Sequence, residues 1–402
     1  MEHQFIKGKD IVLFSSQPWE SEIGSNFKDM TYELARYNRV LFVNRASDRA
    51  SSISKKRSKK NSSETIKPEA IIKVQDNLWV YNTGLILESI NWISWNWLYD
   101  QINKINNKRL AKKINEAVEN LSFKDVILIN DNDFFRGLYL KKMVSACREY
   151  IFYIRDFLTI QPYFKKHGQR LEKKIIQDSN IVVANSAYLA NYARQWNNNS
   201  YDIGQGCDFN PYVSTNLQVP DDIANLPKPI IGYCGAISAM RLDAEIIDII
   251  AQSFPQCSIA LVGPVDSFFE KSDLKKNKNI YFLGGKSPQT VPSYISSFDI
   301  CINPQLINLL TIGNYPRKID EYLAVGKPVV ATKTDGMAMF KEHVFLCEHK
   351  EDYPKMINLI LSNKDCFSDA EKKRRIDFAL LHTWENSIGL LGDAYYSSCK
   401  KN

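Results

Sequence analysis

No Cys-x-x-Cys pair occurs among the eight cysteines, which are scattered at positions 147, 207, 234, 257, 301, 347, 366 and 399. Without paired spacing, neither a zinc site nor a disulfide framework is expected. Cys234, Cys257 and Cys301 fall within or beside apolar runs and read as small hydrophobes. Histidine is scarce, five in 402 residues. His167, His343, His349 and His382 have no metal-ligand spacing and are expected on surfaces or in local hydrogen bonds. No apolar stretch approaches the roughly 20 residues needed to span a bilayer. The segment Met1 to Asp10 lacks the apolar core of a secretion signal, so a cytoplasmic protein, able to rest on the inner face of the plasma membrane, is the expectation. A basic cluster runs from Lys55 to Lys60 in a Ser/Lys-rich loop, Asn44 to Pro68. No RNA- or DNA-binding module accompanies it, which speaks against a nucleic-acid partner and for a solvated loop near anionic lipid.

What is present is the composition of a folded globular chain, 44% hydrophobic and 24% charged. Its length suits two domains of about 200 residues each. The net charge of +7 is uneven. Residues 1–212 carry 31 Lys+Arg against 23 Asp+Glu, and the remainder 21 against 22. Attraction to an anionic surface therefore belongs to the first half.

Along the chain, apolar runs alternate with helical stretches. Ile11 to Phe14, Val40 to Val43, Leu78 to Tyr81, Val126 to Ile129, Ile151 to Ile154 and Ile181 to Ala184 read as buried strands. Prolines 211, 220 and 227 mark a linker. A second series follows at Ile230 to Cys234, Ile259 to Val262, Ile280 to Leu283, Ile300 to Asn303, Val329 to Ala331 and Val344 to Leu346, before a closing helix over about Trp384 to Tyr396. Strand–helix alternation of this kind predicts α/β, two doubly wound sheets in tandem, whose ligands gather at the carboxyl ends of the strands. A Trp-rich stretch, Ile90 to Leu98, leads into a basic helix. At helical spacing, Trp92, Trp95 and Tyr99 would share one face and Ile90, Ile93 and Trp97 another. The stretch is either core or a contact with a membrane surface.

One segment concentrates chemistry: Tyr315-Pro-Arg-Lys-Ile-Asp-Glu-Tyr-Leu-Ala-Val-Gly-Lys-Pro-Val-Val-Ala-Thr332. Proline suits a helix start, Ile319, Tyr322 and Leu323 recur at helical spacing, and Gly326 and Pro328 end the helix before a short buried strand. Arg317 and Lys318 thus lie at a helix N-terminus, which favours anions and, with two cations beside it, phosphate. Glu321, one turn on, can accept hydrogen bonds from paired hydroxyls such as those of a ribose.

This segment closely resembles the nucleotide-sugar signature of GT-B glycosyltransferases. It is most similar to the family-four type and its teichuronic-acid-biosynthesis-like branch, with the pattern Pro-x-Lys-x-x-Glu-Tyr-Leu-Ala-x-Gly-Lys-Pro-Val-Val. The resemblance implies a GT-B fold of two Rossmann-like domains facing each other across a cleft. An acceptor-binding domain would span 1–212, a nucleotide-sugar-binding domain 213–380, and a closing helix at 381–402 would return to the first. It casts Lys318 on the diphosphate and Glu321 on the ribose. Many family-four enzymes carry a second glutamate eight positions earlier. Here that position is Gly313, so no donor-sugar contact is carried over to it.

Three further constellations follow. Gly232-Tyr-Cys-Gly235 ends a strand where backbone can approach a ligand, and the resemblance puts this turn, with Arg241, near the donor diphosphate. Leu283-Gly-Gly285-Lys286 is a second such turn. In GT-B enzymes the corresponding loop cups the nucleobase, which implies backbone contacts from Gly285 and Lys286, and an ordinary tight turn competes. Asp156, just past the strand ending at Ile154, resembles the stretch bearing the base in the xanthan-type membrane-associated glucuronosyltransferase. It is the candidate general base of an inverting transfer, or an acceptor ligand of a retaining one. Pairing with Arg155 or helix capping are its structural alternatives, and Asp131 and Asp133 are rival carboxylates. The expected activity is metal-independent sugar transfer from a nucleoside diphosphate, uridine favoured, to a lipid-linked or surface glycan, with no cofactor beyond the co-substrate. Rivals are a GT-B sugar-nucleotide epimerase and a catalytically silent sugar-nucleotide or glycan-binding protein.

Overall fold

A computed structural model describes residues 3–20, 26–50, 68–213 and 217–400. The Lys55 to Lys60 cluster lies outside the described residues. The chain divides into two compact units, Met1–Gly204 with Trp384–Asn402, and Gln205–Thr383.

In the first unit the strands are β1 (Asp10–Ser15), β2 (Arg39–Val43), β3 (Ser47–Asp48), β4 (Ala70–Gln75), β5 (Leu78–Asn82), β6 (Ile86–Leu87), β7 (Val126–Asp131), β8 (Cys147–Ile154), β9 (Ile181–Ala184) and β10 (Ser200–Asp202). Eight of them form one sheet in the order β10-β9-β8-β7-β1-β2-β5-β4. All its pairings are parallel except β4 with β5. β1, β7 and β9 are buried along their whole length, because helices cover both faces of a parallel sheet. β4 is the exposed edge, with Lys73 turned to solvent, a charge that discourages pairing with another chain. Its pattern, Ala-Ile-Ile-Lys-Val-Gln, is not a continuous apolar run and gives no buried-strand signal in the sequence. From β1 the chain winds outward to β5, then crosses back to β7. The reversal point of the sheet therefore lies between β1 and β7.

The helix Trp384–Cys399 belongs to this first unit. Ile388, Leu391 and Ala394 enter the core beneath β1 and β2. The His3 ring nitrogens lie 2.6 Å from Asp393 and 2.8 Å from Asn386, clamping the first residues across the helix.

The second unit contains β11 (Ile230–Cys234), β12 (Ser258–Val262), β13 (Ile280–Gly284), β14 (Ile300–Asn303), β15 (Val329–Thr332) and β16 (Phe345–Cys347). They form an all-parallel sheet in the order β13-β12-β11-β14-β15-β16. The reversal here lies between β11 and β14. Residues 205–212, read from sequence as the end of the first domain, pack with the second unit instead. Cys207 N–H donates to His382 O at 2.9 Å, and Phe209 and Tyr212 enter the core around Tyr322 and Leu323.

The Trp-rich stretch also departs from expectation. The helix begins only at Asn96 and runs to Asn120. Tyr99 is buried and stacks on His167, ring centroids 3.9 Å apart, and Ile90 and Ile93 are core. Trp92, Trp95 and Trp97 are 75%, 76% and 73% exposed. Helical spacing misassigned these residues because four of them, Ile90, Trp92, Ile93 and Trp95, precede the helix.

Glu172, on the helix Gly168–Asp178, is fully buried. One oxygen accepts from the Tyr192 hydroxyl at 2.7 Å, and the other has no partner among the described residues. Burial pushes its carboxyl up to about 7, against the smaller pull of the Tyr192 hydrogen bond. The native state therefore holds a proton that the unfolded chain, titrating near 4.5, has lost. Stability falls as pH rises through that window. Glu172→Gln should raise stability at pH 8 by on the order of 2–3 kcal/mol and change little at pH 4. Thermal unfolding at both pH values checks this, and an equal gain at each would refute it.

Candidate active site

The signature segment folds as read. The helix Arg317–Ala324 follows Pro316 directly, with no side chain capping its start. Its inner face is fixed by aromatic and buried polar contacts. Ile319, Tyr322 and Leu323 are fully buried. The backbone N–H of Cys234 donates to the Tyr322 hydroxyl at 2.8 Å, which ties the helix to the end of β11. Buried Asp320 accepts from the Tyr315 hydroxyl at 2.5 Å and lies 2.7 Å from His382 Nδ1. Burial raises the Asp320 carboxyl, opposed by these two partners. Together they hold the Tyr315-Pro316 entry in place.

Lys318 stands one turn before Tyr322, on the same helical face. Its ammonium donates to the Tyr233 hydroxyl at 2.8 Å and sits 4.6 Å above that ring's centroid. A Cβ at residue 235 would meet Lys318 Nζ at 3.1 Å, and Gly235 adopts φ +145°. Gly263 adopts φ +147°, and a Cβ there would lie 1.9 Å from the Gly235 carbonyl oxygen. The strand ends of β11 and β12 thus meet backbone to backbone, directly below the ammonium. Only glycine fits that approach.

Arg241, Arg317 and Lys318 line one hollow of about 180 Å³, together with Asn303, Gln305 and Asn314. Arg241 arrives on the loop after β11, stitched to the loop after β14 by Leu306 N–H donating to Arg241 O at 2.8 Å. Asn303 is buried at the end of β14. Its amide nitrogen donates to Gln305 at 3.1 Å, while its oxygen has no partner among the described residues. Gln305 in turn donates to Thr311 O and to Asn314 Oδ1. The hollow therefore has a cationic wall and an amide wall, and it opens at the reversal point of the sheet, where open α/β sheets bind ligands.

Glu321 lies beside the hollow. One of its oxygens is 3.1 Å from Arg317 Nε, and it is hydrogen-bonded by Tyr212, whose hydroxyl is raised by burial and then by this carboxylate. Gly285 and Lys286 do not line the hollow. Gly285 lies against Pro264. Lys286 pairs with Asp222 at 2.6 Å and sits over the Tyr294 ring at 4.9 Å. Tyr233, Asn303, Gln305 and Asn314 join the site without a role that the sequence alone assigns them. Asn303 and Gln305 carried the signal of a polar loop closing a strand, whereas Asn314 had only its place beside Gly313.

In the first unit the reversal point has a different character. Ser15, at the end of β1, donates to Asp131 at 2.8 Å, and Arg155 grips the same carboxylate at 2.5 and 2.7 Å. Asp131 is wholly buried, which raises its carboxyl against the pull of Arg155 and Ser15. Burial opposes the charge on Arg155, yet Asp131 keeps its net shift upward. Asp133 caps the next turn through the N–H groups of Phe135 and Arg136 and pairs with the Arg136 guanidinium at 2.7 Å. Asp156 is half-buried on the loop after β8, its carbonyl accepting from Asn132 Nδ2 at 3.0 Å. Of the three carboxylates at this edge, Asp131 and Asp133 are thus committed to buried ion pairs. Among the described residues, no group of three or more His, Cys, Asp or Glu could hold a metal ion.

This architecture, two doubly wound α/β units with a cationic hollow at a helix mouth in the second, is the GT-B fold. Residues 228–363 match the profile of the family described as Glycosyl transferases group 1, which places that domain in the second unit. TuaH of Bacillus subtilis, named as a teichuronic acid biosynthesis glycosyltransferase, is 27% identical over 253 residues, 60% of this chain. That match spans 57% of the relative's length. Among solved structures, Anabaena HepE in complex with UDP has a TM-score of 0.65 at 17% identity, over 97% of this chain and 100% of that one. Sucrose-phosphate synthase from Thermosynechococcus elongatus has a TM-score of 0.65 at 16% identity, over 98% and 100%.

The glycine contact below Lys318 gives a direct check. Gly263→Ala should cost about 1–3 kcal/mol from backbone strain alone. It should also displace the Gly235 carbonyl and weaken any ligand held beside Lys318. Calorimetric unfolding and nucleotide titration of the variant test this, and a native-like transition with unaltered affinity would show that the contact is dispensable.

Proposed function

We propose that the protein is a glycosyltransferase that moves a sugar from a nucleoside diphosphate, uridine favoured, to a glycan or lipid-linked acceptor in surface-polysaccharide assembly. One observation carries this reading: Arg241, Arg317 and Lys318 converge on a single hollow at the mouth of a helix. Three cations beside helix N–H groups match the charge of a diphosphate. The name of TuaH supports the reaction class, and the complex of HepE with UDP supports the class of donor.

In this reading Lys318 and Arg241 hold the diphosphate and Arg317 adds charge beside them. Glu321 receives the ribose hydroxyls, and Arg317 orients it. The Gly235 backbone gives the phosphates a close approach. Gly285 and Lys286 meet the nucleobase through their backbones, since the Lys286 side chain is engaged by Asp222. The acceptor is assigned to the first unit. Asp156 takes the proton of the acceptor hydroxyl as its oxygen bonds to the anomeric carbon. The bond from that carbon to the diphosphate breaks, and its electron pair leaves with the phosphate. The three cations stabilise the departing charge in place of a metal ion. An anionic membrane surface is the natural setting if the acceptor is lipid-linked.

Thermal-shift measurements test the donor. A nucleoside diphosphate at tenfold its Kd should stabilise the protein by about 1.4 kcal/mol. Lys318→Ala should weaken that ligand by about 2 kcal/mol, or roughly thirtyfold. No shift with any nucleoside diphosphate would end the proposal. Asp156→Ala should retain the nucleotide shift and lower transfer by about 10²–10⁴-fold. Undiminished transfer would remove Asp156 from the mechanism.

A further inference from the structure

Three indoles side by side, each about three-quarters in water, are a costly display for a chain whose other described large aromatics, Tyr163 and Phe268 apart, are at least partly buried. The backbone presenting Trp92 and Trp95 is pinned. Ile90 and Ile93 are core residues on either side of Trp92. His167 Nε2 lies 2.8 Å from Ile93 O, and Lys166 Nζ donates to Trp92 O at 2.8 Å and to Ser94 Oγ at 2.9 Å. The rings are exposed because the chain between two anchors turns them outward.

The pattern continues along the helix Asn96–Asn120. Its exposed positions Trp97, Gln101, Lys104, Ile105, Lys108 and Lys112 fall within a 100°-wide stripe at about 100° per residue. From Trp97 to Lys112 the stripe holds no acidic residue, and exposed Glu119 joins it only in the last turn of the helix. Lys104 and Lys108 have no ion-pair partner among the described residues, and Lys112 is 4.0 Å from Glu116. Ile105, 56% exposed, sits among the lysines. Tyr163, 58% exposed, adds another ring near Asn91, whose amide reaches Tyr163 O at 3.5 Å.

We propose that this surface, Trp92, Trp95 and Trp97 with the Lys104–Lys108 face, docks on an anionic lipid bilayer. Indoles favour the headgroup level, where ring and N–H are each accommodated. Lysines on long apolar stems reach negative headgroups while an isoleucine between them enters the acyl boundary. Charge complementarity selects the bilayer over a second copy of the chain, whose same face would be equally positive. The surface belongs to the first unit and the residues assigned to nucleotide binding to the second, so the inference is independent of the donor reading and gives the suggested membrane setting a defined contact.

Vesicle co-sedimentation of the full chain tests it, with vesicles of phosphatidylglycerol and phosphatidylcholine against phosphatidylcholine alone. Binding should require the anionic lipid and fall as salt is raised. Trp92→Ala/Trp95→Ala/Trp97→Ala should weaken it at least tenfold, and Lys104→Glu/Lys108→Glu by fivefold or more per lysine. Both variants should keep the unfolding transition and nucleotide-induced shift of the parent. Equal sedimentation of parent and variants, or binding indifferent to lipid charge, overturns the proposal. So does a self-association, seen by sedimentation velocity without lipid, that the tryptophan variant abolishes.

Discussion

A lysine at a helix mouth, next to an arginine and close to a second one, repels its neighbours unless something gathers the charge. Here that something is Tyr233. The Lys318 ammonium takes a hydrogen bond acceptor in the Tyr233 hydroxyl and a quadrupole in the ring below it. The tyrosine belongs to β11, so the cation's position is set by the sheet and not by its own flexible stem. From that placement much follows. The strand end beneath must be glycine, the next strand end must be glycine to make room for the first, and Tyr322 one turn on must reach Cys234 to hold the helix at that height.

The two sheets reverse direction at comparable places and use them differently. In the second unit the reversal is lined with cations and neutral amides. In the first it is closed by Ser15, Asp131 and Arg155, a buried group in which every charge has a partner. A buried carboxylate is tolerable only when paired in this way, and breaking such a pair costs several kcal/mol, about 3–5. Asp131 and Asp133, plausible on sequence alone, are thereby tied into ion pairs within the first unit. Each holds a guanidinium, and Asp156, half-buried on the loop after β8, adds to the field on Arg155.

Much of the architecture was legible because parallel strands buried on both faces leave unbroken apolar runs. β1, β7, β9 and β12 are all of that kind. β4 was not legible, since an edge strand alternates and carries charge. The helix Arg317–Ala324 was legible down to its residues, because capping chemistry, periodicity and a following proline agree. The site was less so. That Arg241 reaches the same hollow as Lys318 depends on the pairing of two loops far apart in sequence, bridged at Leu242 and Gln305. The engagement of Lys286 by Asp222 is equally non-local. Periodicity also failed around Trp92, because it presumes a helix that starts only at Asn96; the buried partner of the stretch, His167, lies far along the chain.

The amide wall of the hollow bears on its electrostatics. Where a carboxylate would stand at position 313, the chain has glycine, and the nearby polar groups are the neutral side chains of Asn303, Gln305 and Asn314. An acid there would lie near the three cations and offset part of their charge. Glu321, beside the hollow, is already held by Arg317 and Tyr212. The field at the helix mouth is consequently left positive, as a diphosphate requires. The amides of Asn303, Gln305 and Asn314 add hydrogen-bonding capacity to the lining that asks no charge of a partner. A ligand anionic at one end and hydroxyl-rich at the other satisfies both walls at once. A purely anionic ligand would leave the amides unmatched, and a neutral sugar alone would leave the cations exposed to one another.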